Sequence, residues 1–234
     1  LLSSFHVTEL LAKSIIKGFT DVIEGESGGE MDETGNQSNE YDTMEVTIIK
    51  GTGETQTSAS MQKIEREARI SAIKLIQDSV QYPGPSIAHF LLGFELNNIA
   101  GSTLKAPGAV GTIRSPLHAM LGLLQCNDSI GNGILNNQRP FLVRCPKTAE
   151  AITKLIYNLV SNYETTGPIL RYLHSADEFF SNQLSLLPIK GQNYDRKGSR
   201  QNYPVESLRA QAWLRKSAAI ELKGICHTTC GSQL

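Results

Sequence analysis

The sequence has no apolar run approaching the ~18–20 residues that a membrane-spanning helix needs, so no direct membrane insertion is expected. Its four cysteines, Cys126, Cys145, Cys226 and Cys230, lack the close repeated spacing of a disulfide framework. A chain of 234 residues can bury a core without such staples, and reduced thiols fit a cytosolic or nuclear setting. No segment reads as a signal peptide. The first residue is Leu1 rather than Met, which suggests an internal fragment. Strand signals are scarce: Val46-Thr47-Ile48-Ile49 is β-branched but stands alone, and an isolated strand has no partner. No dense basic run interleaved with aromatics is present, which argues against a nucleic-acid partner.

What is present is charge in an uneven distribution. The formal net charge is −1, yet residues 24–54 hold Glu24, Glu26, Glu30, Asp32, Glu33, Glu40, Asp42, Glu45 and Glu54 against the single base Lys50. The rest of the chain is therefore mildly basic, and Lys and Arg spread along helices mostly solvate outer faces. Residues 25–57, acidic and poor in apolar side chains, are expected to form a mostly disordered loop.

Helical periodicity dominates elsewhere. In residues 1–24, Leu11, Ile15, Gly18/Phe19 and Val22 recur at steps of three and four. A second helix is predicted from Ser60 to about Gln81, with Ile64, Ala68, Ala72, Leu75/Ile76 and Val80 as its stripe and Lys63, Glu65, Arg66, Glu67 and Arg69 on the other faces. Pro83-Gly84-Pro85 ends it. Ser86 to Phe94 reads as a short apolar helix, and Ser115-Pro116 as the start of another over Leu117–Gln125. The clearest pattern is Ile152, Leu155, Ile156, Leu159, Val160 and Tyr163, an apolar stripe about 100° wide. Thr166-Gly167-Pro168 leads into Ile169–His174. Ala176–Leu187 follows, with Asp177 and Glu178 favouring its dipole. Pro204 opens a last helix carrying Ala210, Trp213, Leu214, Ser217 and Ile220 on one side. Helix, turn, helix with wide stripes predicts an all-α fold of stacked layers. No fixed repeat period appears, so the solenoid is irregular.

Motifs for chemistry lack their context. Gly25-Glu26-Ser27-Gly28-Gly29 matches G-x-S-x-G, but a nucleophile elbow needs a strand before the serine and oxyanion donors beside it. Here a helix precedes Ser27 and an acidic tract follows, so Gly25 reads as a helix C-cap and a hydrolase is the least favoured reading. Cys226-His227-Thr228-Thr229-Cys230 resembles half a metal knuckle without its second ligand pair. Gly108-Ala109-Val110-Gly111 has neither the lysine nor the glycine spacing of a phosphate loop. His89 and His118 sit among apolar residues and are expected to be packed or hydrogen-bonded. No catalytic, cofactor-binding or metal residue is assigned.

Several blocks resemble one family. Residues 61–96 end in Leu91-Leu92-Gly93-Phe94-Glu95-Leu96; then come Pro107-Gly108-Ala109-Val110-Gly111 and Leu117-His118-Ala119. Leu155-Ile156-Tyr157-Asn158-Leu159, Thr166 to Leu173, Phe179 to Leu184 and Leu186-Leu187-Pro188 follow. Trp213-Leu214, Lys216 and Ala219 to Leu222 complete the order. Together they resemble the large inner-ring scaffold nucleoporins, the two-hundred-five class of animals and one-ninety-two class of fungi. The resemblance covers roughly 15–24, 61–125 and 147–223, so 58–223 is expected to be a solenoid segment from the C-terminal half of a longer chain. Residues 224–234 read as a tail unlike the family.

The resemblance implies a non-catalytic scaffold of the nuclear pore complex, in the nuclear envelope, that supports nucleocytoplasmic transport. It also implies other nucleoporins as partners, in particular a helix of the inner-ring linker nucleoporin of the ninety-three class. Partner-binding residues are not assignable from it. Thr166–Tyr172 is a weak candidate for a groove wall and a better one for an inter-helix corner. The alternative is another helical-repeat adaptor, of HEAT or armadillo type, in transport or trafficking.

Overall fold

The computed structural model describes residues 2–25, 54–82, 84–106, 113–125, 140–175, 179–187 and 203–231, without the side chains of 2–9, 54–60 and 225–231. Among these residues the chain is all-α, with no strand. The helices are α1 (Leu2–Glu24), α2 (Glu54–Val80), α3 (Ile87–Leu92), α4 (Pro116–Gln125), α5 (Phe141–Arg144), α6 (Pro146–Ser161), α7 (Thr166–Ser175), α8 (Phe179–Ser185) and α9 (Val205–Gly231). Ser27, the Val46–Ile49 run and most of the acidic tract lie outside the described residues.

The centre of the fold is α6, the helix most legible in the sequence. Pro146 occupies its first turn, where a missing N–H leaves no bond unmade. Ile152, Leu155, Ile156, Leu159 and Val160 are all at most 2% exposed. Tyr163, predicted to complete this stripe, lies beyond the helix end and is 86% exposed. The most extensive packing of the molecule is α9 against α6. Ser207, Ala210, Gln211, Leu214, Ser217 and Ala218 form the buried face of α9, and the alanines and serines among them let two helix axes approach closely. On another side α6 meets α2, while α1 packs on α2 and α4. A single continuous core runs from Ile23 through Ile76, Leu92, Met120 and Leu155 to Leu214. Layers stacked through one shared core are the irregular solenoid segment that the patterning predicted.

Side chains close the corners. Thr165 Oγ1 donates to the Leu159 carbonyl (2.6 Å) and Thr166 Oγ1 to that of Val160 (2.8 Å), so two orphan carbonyls at the end of α6 are satisfied by the first residues of the next helix. Gln183 Nε2 on α8 likewise donates to Leu124 O at the end of α4 (3.1 Å). Gly93, in the left-handed region at φ 95°, sends its N–H back to Phe90 O (3.0 Å) and so ends α3.

Several boundaries differ from the sequence expectation. α2 begins at Glu54 rather than Ser60, inside the stretch assigned to the loop. The one-turn α5 was not anticipated; Phe141 and Leu142 are buried there, in a segment too short for periodicity to register. α8 is described from Phe179, with residues 176–178 outside the described set. α9 continues to Gly231, through most of the predicted tail.

Candidate interaction surface

The two stripes predicted for α1 and α2 face the core only in part. On α1 the buried residues are Thr20 and Ile23, with Ile16 and Phe19 packed beside them. Leu11, Ile15 and Val22 are exposed. On α2 the buried set is Arg69, Ile73, Ile76, Gln77 and Val80, while Ile64 and Leu75 are 65% and 57% exposed. Ile76 and Val80 therefore stand as predicted, whereas Ile64, Ala68 and Leu75 turn outward. Each helix carries two apolar faces, and the sequence stripe straddles them.

The outer faces meet. Ile15, Gly18, Phe19 and Val22 of α1 and Ser71, Ala72 and Leu75 of α2 line an open groove of about 590 Å³ whose surface is almost wholly apolar. Gly18 has nothing within 4 Å of where a side chain would begin, so the floor is widest there. An open apolar channel between two helices is the form of site that takes the apolar edge of a third. Single exposed hydrophobics are ordinary, but a contiguous patch of this kind marks interaction surfaces.

Three elements hold the groove's lower end. Gly25 sits in the left-handed region (φ 66°), and its N–H bonds to Asp21 O at 2.9 Å, ending α1. Arg69, predicted on an outer face of α2, is only 8% exposed and donates through Nη2 to Glu24 O (3.1 Å). A cation at a helix C-terminus complements the dipole there. Arg114 pairs with the Glu24 carboxylate, and its carbonyl accepts from Thr20 Oγ1 (3.3 Å), which ties the segment before α4 to α1. Thus the first glycine of the G-x-S-x-G motif is a helix cap under an arginine. The signal for Arg69 was present but ambiguous, because a buried arginine and a solvated one look alike in a charged stretch.

Other candidates fall into place. Thr166–Tyr172 is the opening stretch of α7, with Pro168, Ile169 and Tyr172 buried; the corner before it is closed by the Thr165 and Thr166 hydroxyls. His118 and His89 are hydrogen-bonded caps: Ser115 N–H donates to His118 Nδ1 (2.9 Å) and Ser86 N–H to His89 Nδ1 (3.2 Å). Burial holds both imidazoles below the usual histidine range; for His118 the Lys105 carbonyl opposes this and Arg114 adds to it, and for His89 Glu164 opposes it. Cys145 is buried at the α5–α6 junction. The side chains of Cys226, His227 and Cys230 lie outside the described residues. Between α6 and α9, Tyr157 and Trp213 pack with ring centres 5.0 Å apart and planes tilted by 40°, and Lys216 Nζ sits 4.3 Å from the indole centre.

Among the described residues no three or more His, Cys, Asp or Glu side chains are grouped to hold a metal ion, and no helix is long and apolar enough to cross a membrane.

Comparison with known proteins gives these features a context. A family model described as nuclear pore complex scaffold, nucleoporins 186/192/205, matches residues 1–232. The match extends past Lys223 into the stretch that the sequence reading set apart as unlike the family. The human nuclear pore complex protein Nup205 is 28% identical over 225 residues, 95% of this chain. Those residues correspond to 10% of the human protein, so the chain spans about a tenth of the relative it matches.

Proposed function

The chain belongs to the nuclear pore complex scaffold family of nucleoporins 186, 192 and 205, and from that premise we propose that it is one stretch of a non-catalytic scaffold that binds short helical segments of other nucleoporins. Family membership puts it at the nuclear pore, in the nuclear envelope. The observation that carries the binding role is the apolar groove between α1 and α2. A groove lined by Ile15, Phe19, Val22, Ala72 and Leu75 offers only dispersion and desolvation, which suits an amphipathic helix read through i, i+3, i+4 and i+7 anchors. It offers nothing to a reacting substrate.

The partner we propose is a helix of the inner-ring linker nucleoporin of the ninety-three class, and the consequence is support for nucleocytoplasmic transport through assembly of the pore. The test is affinity capture with the full-length protein from solubilised nuclear envelopes, read by quantitative mass spectrometry. Recovery of the linker nucleoporin well above an unrelated helical-repeat bait is the expected result. Its absence, with trafficking adaptors recovered instead, overturns the proposal.

A further inference from the structure

The sequence places Ser-x-x-His at two helix starts, Ser86-Ile87-Ala88-His89 before α3 and Ser115-Pro116-Leu117-His118 before α4. In both, the histidine at the third helical position turns back on the capping residue. Ser115 N–H donates to His118 Nδ1 at 2.9 Å and Ser115 Oγ lies 2.8 Å from the same nitrogen. At the other start, Ser86 N–H donates to His89 Nδ1 at 3.2 Å and Ser86 Oγ lies 2.9 Å away. The geometry is that of a capping box with imidazole in the place usually taken by Glu or Gln. It requires Nδ1 to be an acceptor, so each ring is neutral with its proton on Nε2. In His118 that proton goes to the Lys105 carbonyl at 2.8 Å, which pins the connection after α3 onto α4. In His89 the Nε2 atom is buried with no hydrogen-bond partner among the described residues.

We propose that this pair of imidazole caps makes the α3–α4 corner an acid-labile joint, which opens when His89 and His118 take up protons while the α6–α9 layer stays packed. A proton on Nδ1 turns the acceptor into a donor that faces the capping N–H. Ser Oγ can accept from the new N–H, but the backbone N–H then has no acceptor, and at Ser115 that group sits in a residue only 4% exposed. The new positive charge lies at a helix N-terminus, against the dipole. For His118 it also faces Arg114, with the Tyr172 ring edge-on at 5.6 Å. Glu164 faces His89 and favours its charged form; Phe94 packs edge-on to it at 5.8 Å. Burial disfavours charging of both rings. A cleft of about 300 Å³ beside His118, lined by Phe94, Leu104 and Ile113 among others, gives water a route to the joint.

The experiment is hydrogen exchange with mass spectrometry on the whole chain at about pH 7.5 and about pH 5.5, with times corrected for intrinsic exchange, in the range where histidine titrates. Peptides covering 86–94 and 115–121 should lose protection by roughly tenfold at the lower pH, relative to peptides of α6. The double variant H89Q/H118Q keeps an amide oxygen that accepts from the capping N–H but does not titrate, so its corner should hold the same protection at both pH values. Unchanged protection of the wild-type corner, or an equal loss in the double variant, overturns the proposal. Should the double variant not fold, a nitrogen-15 titration of the wild-type histidines decides. The joint requires Nε2–H tautomers for His89 and His118 and titration below the ordinary histidine range. Nδ1–H tautomers, or titration within or above the ordinary histidine range, contradict it.

Discussion

Replacing Gly25 with alanine tests the reading of α1's end at the one place where motif and fold compete. Gly25 has φ 66°, and a β-carbon there would collide with the Arg69 guanidinium. Holding a non-glycine residue in the left-handed region costs about 1–2 kcal/mol. Displacing Arg69 forfeits its charged hydrogen bond to Glu24 O, worth about 1.5–3 kcal/mol. Alanine's lower entropy in the unfolded chain offsets roughly 0.4–1 kcal/mol, leaving a net loss of about 2–4 kcal/mol. Urea unfolding followed by far-UV circular dichroism measures it. A double-mutant cycle with Arg69→Ala separates the two causes, because the collision vanishes when the guanidinium is absent and the backbone cost does not. The expected coupling is that of the shared hydrogen bond, about 1.5–3 kcal/mol. A cycle that closes at zero, or a Gly25→Ala protein as stable as wild type, refutes the cap. The companion variant Ser27→Ala should change neither stability nor ester hydrolysis; a measurable esterase lost on this substitution would restore the hydrolase reading.

Further expectations concern core, corner, groove and pH. Leu159→Ala, which empties a site with no exposure on α6, should cost about 2–5 kcal/mol in the same unfolding assay. Thr165→Val removes the donor to Leu159 O in a buried corner and should cost about 1–3 kcal/mol, with the helical signal retained. Val22→Glu and Leu75→Glu lie on exposed positions and should shift stability by no more than about 0.5 kcal/mol each. Because the folded chain holds His89 and His118 below the ordinary value, the unfolded chain binds more protons between the two values. Stability should therefore be full above about pH 6.5 and fall as pH drops below it. Thermal melts across that range check the sign; a rise in stability on acidification contradicts it.

The contrast between α6 and the α1–α2 pair shows how far periodicity reaches. In α6 one stripe, Ile152 to Val160, is apolar and the rest is not, so the sequence has a single solution and the structure adopts it. In α1, Ile16 and Ile23 compete with Ile15 and Val22, and in α2, Ile73 competes with Leu75. Both faces satisfy a 3.6-residue period. What selects the buried one is tertiary: Arg69 has to reach the carbonyl of Glu24, and Thr20 the carbonyl of Arg114, contacts 45 and 94 residues apart in the chain. The capping histidines were legible as packed or hydrogen-bonded, and the serine starts of α3 and α4 were read correctly. Their shared Ser-x-x-His spacing became meaningful only with Nδ1 placed against the capping N–H. The groove could not be read at all, since the same leucines and isoleucines spell core and surface alike.

The proposed function requires the groove between α1 and α2 to be a seat for a helix. Isothermal titration calorimetry with the full-length protein and a synthetic helix of the ninety-three-class linker nucleoporin measures this directly. The account predicts one-to-one binding with a dissociation constant on the order of 1 μM, a negative heat-capacity change from apolar burial, and a loss of at least about tenfold for both Val22→Glu and Leu75→Glu. Equal affinity in wild type and both groove variants, with folding intact, would contradict it.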